Sequence, residues 1–415
     1  MSEQPQRQTS DNHALLAVAL TVFIDLLGFG IVIPLLPIYS KAYGASELQL
    51  GLLFSSFSLM QLVFAPLWGR LSDRIGRRPV LIGGLLGTAL SYVFFGFARG
   101  MPALFAARML AGFFGANVST AQAYIADVTT PKDRAKGMGL LGAAFGLGFT
   151  FGPLVGGELV RFHLAAPGLV AAALSLTAAV YGLARLPEPP REKRGAARVL
   201  SLGSVRYALR NGHVGMILAL YFMGIFAFSG FETMFIRFGL ARFPASFGVD
   251  GVIAHATMDE IFATAPIAGR YMFFIGLIAA LVQGGLIRRL VPRYGETKLI
   301  VAGPFLLGLG LALIGLAPSW GLVIAGCALM PFGLGVNNPS LTSLLSRAAP
   351  TAQQGAFLGL NQSLGSLARV LGPIAGAASF QRFGPGSPFL QAAGVLGFAT
   401  LLALIYQRRH GARLS

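Results

Sequence analysis

The chain has 415 residues, 55% hydrophobic and 11% charged, with a mean hydropathy of +0.70. A soluble globular domain carries roughly 25% charged residues, so this composition belongs to a membrane protein. A net charge of +17 invites a nucleic-acid reading, but the basic residues punctuate apolar runs instead of gathering on one face, which argues against a nucleic-acid partner. The single cysteine, Cys327, lies in an apolar segment; it excludes an intramolecular disulfide and argues against a Cys-based metal site.

A helix crossing the bilayer needs about 20 mainly apolar residues. Twelve such segments follow one another, at 14–38, 48–68, 79–98, 101–126, 137–160, 168–186, 214–238, 269–288, 299–317, 320–345, 355–380 and 388–406. The first follows a polar stretch, Met1 to His13, and its apolar run is too long for a cleaved signal core, so it is expected to stay as a helix. Placing the N-terminus in the cytoplasm puts most of the 32 Lys and Arg residues in cytoplasmic loops, as the positive-inside tendency requires. Both termini are then cytoplasmic, and the chain is expected to be a multi-pass protein of the plasma (inner) membrane.

The longest cytoplasmic connection, Pro187 to His213, is rich in proline and basic residues and separates six helices (residues 1–186) from six more (residues 214–415). Repeats support that division. Arg289-Leu290-Val291-Pro292-Arg293-Tyr294-Gly295 resembles Arg70-Leu71-Ser72-Asp73-Arg74-Ile75-Gly76 at an offset of 219, and Gly372-Pro373-Ile374-Ala375-Gly376 matches Gly152-Pro153-Leu154-Val155-Gly156 at 220. The expected fold is all-α, with twelve transmembrane helices in two pseudo-symmetric six-helix bundles. Such halves enclose a substrate site near the bilayer midplane in repeat-built transporters.

Charged residues inside the apolar segments are candidates for function. Asp25 falls near the middle of the first helix, where an ionised carboxylate costs about 2.5–3.5 kcal/mol on insertion scales. It either loads and releases a proton as a cavity alternates between two compartments, or pairs structurally with a polar neighbour. Glu232, in the seventh helix, has the same two readings, with Arg237 as a possible partner. Arg108 opens a fourth-helix stripe continued by Gly112, Gly115, Ser119 and Gln122, whose spacings of four and three define one face. Such a face lines water or lets another helix approach. Gln61, Asn117, Asn337, Asn338 and Gln283 are further intramembrane polar residues, divided between cavity lining and interhelical hydrogen bonding; in the eleventh helix Gln362, Ser366, Arg369 and Pro373 share a face.

Gly148, Gly152, Gly156 and Gly157 allow close helix contact, and Pro153 among them removes a backbone bond and can kink the helix. Between the second and third segments, Gly69, Arg70, Asp73, Arg74, Gly76, Arg77 and Arg78 form a dense charged loop that must lie outside the hydrocarbon. No phosphate-binding glycine loop accompanies a Lys and a Ser or Thr, so no nucleotide is expected, and the scattered histidines lack metal-ligand spacing. Neither a cofactor, a metal nor an enzymatic site is expected.

With these motifs in place, the chain resembles the major facilitator superfamily over essentially its whole length. Gly69 to Arg78 is similar to that family's signature loop, Gly148 to Gly157 resembles the fifth-helix motif of its drug/proton antiporters, Asp25 to Pro37 resembles their first-helix motif, and Leu104 to Gly115 their fourth-helix motif. Within that group the likeness is strongest to tetracycline/proton antiporters. It stops short at Ser91 and at Leu306 and Leu307, where those antiporters carry acidic residues, so it does not extend to tetracycline as cargo.

The resemblance implies a monomeric exporter of a small amphiphilic or hydrophobic compound, partnered only by its cargo, protons and the bilayer. Asp25, Glu232 and Arg108 would then serve proton coupling, and Gln61, Asn117, Ser119, Gln122, Asn337 and Gln362 would line the cargo cavity. Asp73 and Arg77, with Asp127 and Arg134, resemble the charge network that closes the cytoplasmic side. A proton-coupled importer or a facilitator of a polar metabolite is the alternative; a membrane receptor or enzyme on the same fold is a remote one.

Overall fold

The computed structural model describes residues 4–115, 117–129, 134–189, 206–208, 210–251, 255–349 and 354–410. Its elements are helical throughout the described residues: α1 (Gln4–Val32), a 3-10 turn, α2 (Leu36–Ala42), α3 (Glu47–Ile75), α4 (Arg77–Gly96), α5 (Met101–Phe114), α6 (Asn117–Val128), α7 (Arg134–Leu159), α8 (Ala166–Arg185), α9 (Gly212–Arg242), α10 (Met258–Ala263), α11 (Ala265–Leu281), α12 (Ile287–Tyr294), α13 (Glu296–Leu316), α14 (Trp320–Ala348), α15 (Gln354–Phe383) and α16 (Ser387–His410). Hydrocarbon offers backbone groups no partner, so a spanning chain satisfies them within its own helices. Eleven helical stretches among the described residues are long and apolar enough to cross a membrane. The 30-residue α15, which carries Gln362, Ser366 and Arg369, fits as a twelfth.

Two compact units partition the chain. The first comprises Met1–Tyr43, Leu59–Ala196 and Phe262–Gly276; the second comprises Gly44–Ser58, Ala197–Ile261 and Leu277–Ser415. In the first, a buried core of Val18, Val22, Leu26, Leu81, Leu85, Tyr124, Ile125 and Leu141 joins α1, α4, α6 and α7. The second is built around Val214, Ile217, Leu220, Ile300, Leu341, Leu344, Phe357 and Tyr406, from α9, α13, α14, α15 and α16.

Glycine sets the tightest crossings. In the first unit, Gly148, Gly152 and Gly156 of α7 lie against Leu26, Gly30 and Ile31 of α1, so closely that a Cβ on any of them would meet α1 backbone. On another side of α7, the carbonyl of Pro153 faces Gly269 of α11, and Gly157 abuts Ala265 and Pro266. The second unit repeats the arrangement: Gly372 and Gly376 of α15 pack on Gly230 of α9, and the carbonyl of Pro373 faces Gly51 of α3. The repeated glycine-proline sequence thus carries one packing solution twice. Small residues let helices approach where lipid supplies little hydrophobic drive.

The sequence reads the fourth span as one segment, and Met101–Val128 is one span; within it Gly115 forms a turn, its N–H bonding the carbonyl of Gly112 at 3.3 Å, and α-helix is described again from Asn117. Side chains of α3 satisfy carbonyls freed there: Trp68 Nε1 donates to Phe113 O at 2.6 Å and Gln61 Nε2 to Gly115 O at 2.8 Å. Gly84 and Gly87 of α4 leave the room that the Asn117 side chain and the Phe114 ring occupy.

Candidate functional site

Asp25 lies 7% exposed in the first unit. Its Oδ2 accepts from Asn117 Nδ2 of α6 and its Oδ1 from Ser175 Oγ of α8, each at 3.0 Å. Thr88 of α4 stands 3.5 Å from the same Asn117 nitrogen. Two helices therefore donate to the carboxylate carried by α1, and a third, α4, contacts the donor Asn117. Hydrogen bonds to a charged group contribute about 1.5–3 kcal/mol each, enough to offset much of the penalty of placing the group there. Both donors are neutral side chains.

Arg108 is also buried, 3% exposed, with its guanidinium carbon 5.9 Å from the centroid of the Phe29 ring, one helical turn beyond Asp25. The site thus places a buried carboxylate and a buried cation along the same two spans. Glu232 is half-buried in α9 of the second unit. Arg237, which sequence offers as its partner, extends Nη2 to Ala45 O at 3.0 Å and Nη1 to Glu47 Oε1 at 3.4 Å.

The residues grouped by sequence as cavity lining fall into different surroundings. Asn117 is held on Asp25 and Gln61 on the Gly115 carbonyl. Ser119 and Gln362 are exposed on their units and Gln122 is half-buried. Asn337 has no exposed surface.

The charged stretch expected as a loop is helical except at Gly76, belonging to the end of α3 and the start of α4, and it builds a compact network. Arg77 Nη1 lies 2.6 Å from Asp73 Oδ1, Arg77 Nε 2.9 Å from Asp127 Oδ2, and Arg77 Nη1 donates to Ser72 Oγ at 2.6 Å. Arg70 and Arg74 are exposed, and the side chain of Arg134 lies outside the described residues. Gly76 has φ +113° and precedes α4, in a region essentially restricted to glycine. The next two backbone N–H groups, of Arg77 and Arg78, donate to the Glu188 carboxylate at 2.7 and 3.1 Å, so a chain-distant acid caps α4. An anion suits that helix end, where the dipole is positive and N–H groups lack intrahelical partners.

Glu188, Ser175 and Thr88 were not marked by sequence reasoning. Ser175 carried a signal, being a polar side chain midway along an apolar span. Glu188 carried none, because its partner is a helix end more than a hundred residues away.

The sequence pattern of the Major Facilitator Superfamily matches residues 18–373 and 238–414. The chain is 31% identical over 410 residues to the class C tetracycline resistance protein of Escherichia coli, covering 97% of this chain and 98% of that one. It is 29% identical over 398 residues to multidrug resistance protein 2 of Bacillus subtilis, covering 94% of each. The crystal structure of the human organic anion transporter MFSD10 (TETRAN) superposes with a TM-score of 0.72 at 28% identity, covering 95% of this chain and 99% of that one. The chain belongs to the Major Facilitator Superfamily and is a multi-pass membrane transporter of small molecules, not an enzyme.

Proposed function

We propose that the protein exports a small amphiphilic or hydrophobic compound in exchange for protons, by alternating access of two six-helix halves, residues 1–186 and 214–415, joined by the linker 187–213. The observation that carries this reading is Asp25, a buried carboxylate held only 3.0 Å from each of two neutral donors inside a membrane-spanning bundle. Such a group can accept and release a proton at little structural cost. The full-length likeness to tetracycline and multidrug resistance proteins supports export and a drug-like cargo.

Arg108 then serves as the cationic neighbour that favours deprotonation in one state, and Glu232 as a second acid on the seventh span. The Arg77 network and its Glu188 cap serve as a latch on the cytoplasmic side, where charge-assisted hydrogen bonds are roughly twice as strong as neutral ones. A two-state equilibrium biased by that latch is what cargo and proton shift. The excess of basic residues in alternate loops supports cytoplasmic termini and an inner-membrane location, with the monomer as the working unit. In everted vesicles, an imposed pH gradient should drive cargo movement that a protonophore abolishes; movement unaffected by the protonophore would refute coupling.

A second reading is favoured by Arg108. A cation 3% exposed inside the membrane suits recognition of an anionic or polar metabolite, and a relative described as an organic anion transporter points the same way. An importer or facilitator would show net uptake in right-side-out vesicles, or equilibration that ignores the gradient.

A further inference from the structure

The second unit repeats one contact of the charged network with its charges exchanged. Arg70 to Gly76 aligns with Arg289 to Gly295 at an offset of 219, so Arg77, the first residue of α4, corresponds to Glu296, the first residue of α13. Gly115-Ala116-Asn117 aligns with Gly335-Val336-Asn337 at an offset of 220, so Asp127, near the end of α6, corresponds to Arg347, near the end of α14. Packing supports both alignments: a Cβ on Gly84 of α4 would run into Asn117, and one on Gly303 of α13 into Asn337.

In the first unit the cation stands on the earlier helix, Arg77 Nε lying 2.9 Å from Asp127 Oδ2. In the second the acid stands there. Glu296 Oε2 pairs with Arg347 Nη2, and Glu296 Oε1 accepts from Ser343 Oγ, one turn before Arg347, at 2.7 Å. Ser343 thus takes toward Glu296 the part that Ser72 takes toward Arg77. Asp73, the other acid on Arg77, gives way to Pro292. The Glu296 side chain is 13% exposed and that of Arg347 53%. Water screens the cation, but a largely buried carboxylate without partners would carry its full desolvation penalty, so both donors matter.

The exchange of charge governs pairing. The α4–α6 and α13–α14 crossings use the same glycine and asparagine positions, so packing alone discriminates poorly between α6 and α14 as the neighbour of α4 or of α13. Charge discriminates. Arg77 opposite Arg347 and Glu296 opposite Asp127 are both like-charge contacts, and such contacts suppress wrong partners. Had both copies kept one polarity, both wrong pairings would attract. We infer that Glu296, Arg347 and Ser343 form a second clasp of opposite polarity to the first, and that the opposite polarity restricts α4 to α6 and α13 to α14 as the chain folds.

The test compares three variants of the full-length protein in detergent: Glu296→Arg, Glu296→Arg with Arg347→Glu, and Glu296→Arg with Arg77→Glu. Glu296→Arg alone sets like charges together and should lower the melting temperature by about 2 °C or more. Adding Arg347→Glu re-forms the pair in the polarity of the first clasp and should return the melting temperature close to the parent value. Folded yield after expression, measured as the monodisperse fraction on size exclusion, should nevertheless fall below the parent's, because wrong pairings now attract. Adding Arg77→Glu instead breaks both clasps and should deepen the loss. If Glu296→Arg gives no folded protein, we expect Arg347→Glu to recover it and Arg77→Glu not to. A melting temperature unchanged by Glu296→Arg, or no recovery with Arg347→Glu, overturns the second clasp. Recovery with Arg77→Glu overturns pairing within each half, and a parental folded yield for Glu296→Arg with Arg347→Glu overturns the role of polarity.

Discussion

Asn117 Nδ2 donates to Asp25 Oδ2 over 3.0 Å, from the fourth span shortly after the turn at Gly115. Replacing Asn117 by Leu removes a hydrogen bond to a group that is charged for part of the cycle. It should destabilise the protein by about 1.5–3 kcal/mol and slow gradient-driven efflux. Asn117→Ser, which keeps a donor, should retain more activity. Equal activity of the two variants would show that the bond has no part in transport.

The α1–α7 seam makes a contrast available within one helix. Gly152 lies on the backbone of Gly30, whereas a Cβ on Gly146 would meet nothing within 4 Å. Gly152→Ala should cost about 1–3 kcal/mol through overpacking. Gly146→Ala should be neutral or gain up to about 1 kcal/mol from helix propensity. Paired melting curves decide it, and similar values for the two would contradict the seam as described.

How much of this was legible in the sequence depends on the range of the contact. The spans, the glycine-proline repeat and the charged stretch could be read directly, because apolar length, four-residue spacing and charge density are local properties. The turn at Gly115 could not, because Gln61 and Trp68 satisfy carbonyls there from another span. Asn117 and Asn337 looked alike as polar residues in apolar helices. Only three-dimensional packing separates the one bonded to Asp25 from the one beside Gly224, and likewise adds Glu47 and the Ala45 carbonyl to the contacts of Arg237.

Gly76 and Gly295 occupy corresponding places before α4 and α13, with φ of +113° and +74°. A Cβ at Gly76 would run into the Glu188 carboxylate, while at Gly295 it would meet nothing within 4 Å. Alanine at either place pays backbone strain of about 1–3 kcal/mol, but only Gly76→Ala also disturbs the cap on Arg77 and Arg78. We expect Gly76→Ala to be the more destabilising and Glu188→Gln to reproduce part of its effect. Chemical denaturation measures the difference.

Arg237 is 2% exposed beside Glu47, which is 20% exposed. Removing one partner of a buried ion pair costs about 3–5 kcal/mol, whereas replacing both by apolar groups is often neutral. Arg237→Met should therefore impair folding far more than Arg237→Met combined with Glu47→Met. Folded yield by size-exclusion chromatography separates the outcomes, and additive losses would argue against coupling of the pair.

The central claim is that Asp25 carries the proton exchanged for cargo. The most direct measurement is cargo movement in everted vesicles containing the Asp25→Asn variant, with a pH gradient imposed and then collapsed. We expect gradient-driven accumulation to disappear while downhill exchange of cargo persists. Full accumulation by the asparagine variant would contradict the account.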